Sequence, residues 1–424
     1  MSTAPKDFSV AIVGGGLCGL ACAVGLVRAG IEVAVFESAP KFDEIGAGVG
    51  LGPNALRALE GLGLLDAVLK KADQPKPSQR LFKFVSGTGN HDEIFDYIES
   101  CAEHGNEGLG IYRPAFLDAM APMLDPSVTH FNKRCIAVER GISDRPLIRF
   151  SDGTTHEADL VIGADGIKST TRNAVIGGGE NRLGWSGTYA YRGLVPIETL
   201  KAAGMQAEVE SRPYNWVGLD KHIITFPIKN DTVLNIVAFR SKDNSAALFP
   251  ERPHPWVEAT PEAELLESFQ GWGTDALTML KHMKNPSRWS IHTLYPPLTT
   301  YVNGRVVLVG DSAHGMLPHL GAGAGQGLED VYTLCRLLAH PETKKTNLDA
   351  ALAIYNELRP ARANMVLKRS MRMGKISESY GQNKYDIQDM QQHIKGMWEP
   401  VWYHDLEAQV TTALKGFGKV KSKY

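Results

Sequence analysis

Residues 8–37 read as strand, glycine turn, helix, strand and then an acid, an order that few folds accommodate. An apolar run over 8–13 meets Gly14-Gly15-Gly16-Leu17-Cys18-Gly19, which satisfies G-x-G-x-x-G. A helical segment follows over 17–29, then a second strand over 31–36, then Glu37. Gly14 permits the tight turn, Gly16 lets a pyrophosphate approach the backbone, and Gly19 lets helix and strand pack closely. The helix N-terminus offers free N–H groups and partial positive charge to the phosphates. Glu37 falls where a carboxylate can accept both hydroxyls of an adenosine ribose, and its charge would repel a 2′-phosphate. The segment predicts a dinucleotide-binding unit at the start of a parallel sheet. Residues 9–27 are also apolar enough for a leader or a membrane helix, but five glycines interrupt them and a strand follows at once.

A chain of 424 residues is too long for one ordinary core, so two domains or one elaborated α/β domain are expected. The net charge of −2 gives no reason to invoke nucleic acid or an anionic membrane. Lys415, Lys419, Lys421 and Lys423 with no acid among them read as a solvated tail. Cys18, Cys22, Cys101, Cys135 and Cys335 form an odd, scattered set without a C-x-x-C pair, as expected of reduced thiols in a cytoplasmic protein. Cys18 and Cys22 stack on one helix face as small packing residues. No metal-ligand spacing appears: H-E-x-x-H is absent and the histidines are dispersed.

Further along, 147–150 and 160–162 read as strands returning to the first sheet, and the texture from 185 to 235 becomes alternating and β-prone, an antiparallel layer. Residues 261–283 read as helical, as do 347–372 with a bend at Pro360. Leu328, Val331, Cys335 and Leu338 mark one face of another helix. A strand over 305–309 ends in Gly310-Asp311-Ser312-Ala313-His314, placing a carboxylate at the sheet's carboxyl edge, where open α/β sheets bind ligands. Pro318 and Gly321-Ala322-Gly323-Ala324-Gly325-Gln326-Gly327 then lead into a helix and expose backbone N–H groups. His314 and His319 read as backbone support or pocket lining. A third motif, Gly163-Ala164-Asp165-Gly166-Ile167-Lys168-Ser169 with Arg172 beyond it, follows the strand over 160–162.

In their order and separation these three motifs resemble the single-component, FAD-dependent aromatic monooxygenases, over roughly residues 8–370. The resemblance implies an α/β fold: a Rossmann-like FAD-binding domain (1–82, 105–182, 289–375), an inserted β-rich substrate domain (83–104, 183–288), and a C-terminal helical segment with a basic tail (376–424). It implies non-covalent FAD held by Gly14, Gly16, Leu17, Cys18, Gly19 and Glu37 on the adenosine side. Asp311 would take the ribityl chain, and Asp165 with Gly166 would serve FAD and the nicotinamide donor. Gly46 to Asn54, with Gly48 and Val49, resembles the segment beside the flavin ring, as do Pro318, Gly321, Gly323, Ala324 and Gly325. Tyr112-Arg113-Pro114 resembles the segment whose arginine reaches the ribityl or phosphate.

Within the family the salicylate-hydroxylating branch is most similar, through Ala190 to Pro196, Gly218 to Pro227, Leu234 to Phe239 and Pro318 to Gly327. Hydroxylases of 3-hydroxybenzoate and 6-hydroxynicotinate share much of this. Several carry a tyrosine four residues after the histidine, where this chain has Phe226. The resemblance implies decarboxylative conversion of salicylate to catechol through a flavin C4a-hydroperoxide, with dioxygen and NAD(P)H, NADH favoured. Hydroxylation of another aromatic acid, or a non-hydroxylating FAD oxidase, are the alternatives. His222 is either the base that ionises the phenol or a structural histidine. Arg192 either binds the carboxylate or pairs on the sheet. Phe226, Pro318 and His319 are candidates for substrate contact, and Trp185, Tyr191 and Trp216 for ring contacts or core. A monomer or homodimer is expected.

Overall fold

The computed structural model describes residues 5–42, 48–72, 76–79, 81–98, 107–178, 181–242, 255–381 and 384–417. Gly46, Ala47, Cys101, Lys419, Lys421 and Lys423, named above, lie outside them.

Two sheets organise the chain. The first has six strands in the order Val302–Asn303, Val306–Leu308, Leu160–Gly163, Ser9–Val13, Glu32–Phe36, Thr129–His130. All pair in parallel except the first, which is antiparallel to its neighbour. Parallel strands need crossovers, and the covering elements bury both faces. Ile12, Val35, Ile162 and Val307 are accordingly fully buried. Ser9–Val13 lies in the middle, and the chain continues to Glu32–Phe36 on one side and Leu160–Gly163 on the other. That reversal opens a crevice at the strands' carboxyl ends. Gly14, Glu37, Ala164 and Gly310 all fall there.

The second sheet has eight strands, with Leu183–Pro196, Val233–Ser241 and Lys221–Ile228 side by side at its centre. Strand residues alternate between faces. Tyr191, Ile223, Ile236 and Ala238 point one way and form a core with Leu265 and Met279 from the helices Glu262–Ser268 and Thr274–His282. Trp216 belongs to this core, and Trp185 is buried with its indole N–H donating to the carbonyl of Thr188 at 3.1 Å. The opposite face carries Arg192, Ile224, Phe226, Val237 and Phe239.

Four sequence expectations need correction. Pro146–Phe150 does not join the first sheet; it pairs antiparallel with Thr155–Glu157 and Cys135–Arg140 in a separate three-stranded sheet. Asp152-Gly153 is the reason: Gly153 has φ +84° and closes a hairpin too tight for a crossover. The helix expected over 261–283 is broken between Ser268 and Thr274, where Gly271 has φ +83°. The helix Gly323–Ala339 is buried almost all round, Glu329, Asp330 and Thr333 included, rather than along one stripe. The helix Leu348–Ser377 contains Pro360 and extends beyond the expected end. Among the described residues no helix is long and apolar enough to cross a membrane.

Candidate active site

A cavity of about 410 Å³ runs from the first glycine turn to the open face of the second sheet. Gly16, Leu17 and Cys18 line one end, with Asp311 exposed at the edge of the parallel sheet. Gly48, Val49, Arg113, Pro318, Gly321, Gly323 and Ala324 line the middle. Arg192, Ile224, Phe226, Val237, Phe239 and His319 line the far end.

Other residues singled out in the sequence lie just behind these walls. A Cβ on Gly19 would fall 1.9 Å from the Gly14 carbonyl oxygen, and one on Gly14 would fall 2.4 Å from that of Ala164. Both glycines thus permit the helix to approach the strand ends. Gly325 packs on Asn54. Glu37 accepts from the backbone N–H groups of Gly15 and Ala39, both at 2.7 Å, which ties the second strand's end to the turn. Asp165 accepts from the hydroxyls of Ser169 and Thr171 and from the N–H groups of Thr170 and Thr171. With its carboxylate so engaged, the wall beside it is formed by Ala164 and Gly166.

The cavity fits a flavin dinucleotide. Gly50, Gly166 and Gly321 line it, and a Cβ on any of them would meet no atom within 4 Å. Gly166 and Gly321 are held at φ +73° and +61°, which itself calls for glycine; Gly50 is not, and it leaves backbone open to a flat ligand. The helix Leu17–Arg28 begins at Gly16 with no side-chain cap, so its first N–H groups face the cavity end.

Buried charges hold these loops in register. Arg172 is fully buried and donates to the carbonyls of Ile167 at 2.8 Å and Ser312 at 3.0 Å, joining the second and third motifs. Burial lowers its pKa to about 10, so it stays charged at neutral pH. Beneath the second motif, Asp330 accepts from Gly310 N–H at 2.9 Å, His314 Nε2 at 2.5 Å and Arg359 Nε at 2.7 Å. Its neighbour Glu329 accepts from Arg359 and Arg362, each at 2.9 Å, and from Asn54 at 2.7 Å. Burial pushes the Glu329 carboxyl up, and the two guanidiniums outweigh it, holding it at about 2.

At the far end, cross-strand register explains which side chains meet. Arg192 lies opposite Val237, which lies opposite Ile224, so all three share the cavity face. Arg192 sits with its guanidinium carbon 5.2 Å from the Trp289 ring centre and has no carboxylate partner among the described residues. Burial, then repulsion from Arg113, lowers its pKa to about 10, which still leaves it charged. His222 points to the same side but does not line the cavity. It is fully buried, stacked on Phe239 with centroids 4.5 Å apart, and its Nε2 lies 3.3 Å from Nδ1 of His319. Its Nδ1 lies 3.1 Å from Glu378 Oε1. His319 is the histidine on the wall, and burial, then the neighbouring His222, holds its pKa well below the usual imidazole range.

Sequence reasoning missed Glu378, at the end of the helix Leu348–Ser377, and Phe82 and Trp402, which also line the cavity. No local pattern marks them; Trp402 is placed by packing against Gly52 and by Arg362, which donates to the carbonyls of Pro400 and Val401.

Residues 7–370 match the family model described as FAD binding domain. The chain is 38% identical over 421 residues to a salicylate hydroxylase of Pseudomonas putida, covering 96% of this chain and 95% of that one. It is 34% identical over 435 residues to a 6-methylsalicylate 1-monooxygenase of Aspergillus terreus, covering 98% and 93%. A solved salicylate hydroxylase–substrate complex superposes with a TM-score of 0.83 at 32% identity, covering 96% of this chain and 98% of the other.

Proposed function

The chain belongs to the FAD-binding-domain family as an FAD-dependent aromatic monooxygenase of the salicylate hydroxylase type, and we propose that it converts salicylate to catechol with loss of carbon dioxide. The observation that carries this reading is Arg192, a half-buried guanidinium in the cavity wall with no carboxylate partner among the described residues. A charge so placed awaits an anion, because desolvation without a partner is costly. Around it, Ile224, Phe226, Val237 and Phe239 supply apolar walls for a ring. A small aromatic carboxylate satisfies both.

When bound, FAD supplies electrons from a nicotinamide, which activate dioxygen for transfer of one oxygen atom to the ring. The protein's own part is to hold, orient and deprotonate. Arg192 anchors the carboxylate. The phenol proton passes to His319, with His222 behind it, so the base expected at His222 reaches the cavity through its neighbour. Removing that proton makes the ring carbon bearing the carboxylate electron-rich; one oxygen atom of dioxygen would bond to that carbon and the other would leave as water, and the bond to the carboxylate would then break, its electron pair returning to the ring as carbon dioxide departs. The apolar walls keep water from the reacting atoms. Gly14, Gly16, Leu17, Cys18, Gly19 and Glu37 serve the adenosine side, Asp311 the ribityl chain and Arg113 the ribityl or phosphate. Asp165 acts through the loop it organises.

We favour NADH as donor, a cytoplasmic location and a monomer or homodimer. With Phe226 in place of tyrosine, the base has no phenolic helper at that position, and 3-hydroxybenzoate is expected to be a poor substrate. Titrating the flavin absorbance with salicylate, 3-hydroxybenzoate and 6-hydroxynicotinate tests this: salicylate should bind tightest, and preferential binding of either of the others would overturn the assignment. Gly19→Ala is expected to yield protein without flavin, since its Cβ would overlap the Gly14 carbonyl. The ratio of flavin to protein absorbance after purification checks it.

A further inference from the structure

We propose that Glu378 is a positioning residue of this site, setting the proton arrangement of His222 and His319 so that Nε2 of His319, the nitrogen not turned to His222, is a proton acceptor. The proposal rests on the aromatic hydroxylase reading above and adds a group outside all three sequence motifs.

Glu378 caps the long helix Leu348–Ser377, and its side chain is 5% exposed. Its backbone is held in place too: the Glu378 carbonyl accepts from Asp220 N–H at 3.0 Å, on the turn that leads into Lys221–Ile228. The helix end and the strand carrying His222 are thereby fastened together. An ionised carboxylate can only accept, so His222 Nδ1, 3.1 Å from Oε1, carries the proton. Neutral His222 then has its lone pair on Nε2, and His319 Nδ1 at 3.3 Å is the donor to it. The lone pair of neutral His319 is left on Nε2. A proton arriving at His319 is stabilised by the negative charge at the far end, as a carboxylate behind an imidazole supports a general base.

The surrounding charges do not replace it. Asp220 pairs with Lys384 at 3.2 Å. Lys221 and Arg240 lie opposite one another on adjacent strands, Lys375 sits in the helix's last turn, and Arg192 lies on the cavity wall. Apart from Asp220, all are cations, which oppose protonation of the histidines.

The test uses Glu378→Gln and Glu378→Asp in the FAD-bound enzyme, with two readouts. Spectra of protein labelled with 15N-histidine report the tautomers directly, whatever the substrate. Wild type should show protonated Nδ1 on both His222 and His319, and the glutamine variant should lose this pattern. In salicylate-dependent NADH oxidation, Glu378→Gln should lower kcat about 10- to 100-fold, a usual range for general-base support. The acid limb of kcat/KM should shift to lower pH by about one unit or more as the nearby charge is lost. Flavin content and salicylate affinity should stay as in wild type, and Glu378→Asp should recover most of the rate. A wild-type tautomer pattern in the glutamine variant, or an unmoved acid limb, would overturn the proposal. Wild-type enzyme that shows the tautomers but does not turn salicylate over would count against the substrate assignment alone.

Discussion

Exchanging Arg192 for methionine is expected to weaken salicylate binding by about 30-fold to several thousand-fold while raising the protein's thermal stability. The first part follows from truncating one partner of a buried charge pair, which typically costs about 2–5 kcal/mol. Methionine keeps much of the side-chain bulk against Trp289, so the loss reports the charge. The second part follows from the absence of a carboxylate partner among the described residues: the folded protein bears the desolvation of this cation without a matching anion, and removing it relieves that cost. A sheet salt bridge would behave in the opposite way, since its loss destabilises. Phenol, which lacks the carboxylate, should bind both forms about equally. Flavin-absorbance titrations with salicylate and phenol, alongside thermal unfolding, check both parts. Equal losses for the two ligands, or a lowered Tm, would assign Arg192 to the scaffold. Lysine should restore little, because it lacks the planar fork that grips a carboxylate.

Arg359→Met is expected to cost about 3–5 kcal/mol of stability, the usual effect of removing one member of a buried ion pair. Arg359 is fully buried, and its loss strands Asp330 and weakens the hold on Glu329. Asp330 also holds Gly310 N–H and His314, so the second motif should loosen and flavin affinity should fall with stability. The pH dependence has a definite sign. Glu329 is held at about 2 when folded, below its ordinary value of 4.5. A depressed carboxyl stabilises the fold above its unfolded pKa, and that contribution is lost as pH falls from about 4 to about 2. Without Arg359, burial acts on Glu329 with less opposition, so acid unfolding should begin at higher pH. Urea unfolding at neutral pH and acid titration followed by circular dichroism measure both effects. An unchanged urea midpoint would contradict this view of the cluster.

Much of this was legible along the chain where local chemistry leaves a local mark. The turn at Gly14 to Gly19 is written in glycines because no other residue fits a helix so close to a strand end. Gly310-Asp311 was placed correctly because a buried strand precedes it. Alternation from 185 to 235 marks an antiparallel layer, yet which face bears the cavity is not readable from it. Both faces are apolar: one meets helices through Ile223 and Ile236, the other lines the cavity through Val237 and Phe239. The depth of His222 was hidden for a related reason. Its partners, His319 and Glu378, lie 97 and 156 residues away, and no periodicity reports contacts at that range. Residues 147–150 carry the sign of their hairpin in Asp152-Gly153, where Gly153 at φ +84° turns the chain straight back into Thr155–Glu157.

The measurement that bears most directly on the central claim is product stoichiometry in a single reaction: purified enzyme with FAD, NADH and salicylate in air, followed for NADH consumed, catechol formed, carbon dioxide released and hydrogen peroxide. The account predicts equal amounts of NADH, catechol and carbon dioxide, with little peroxide. Rapid NADH oxidation that yields only peroxide, or a hydroxylated product that retains its carboxylate, would contradict it.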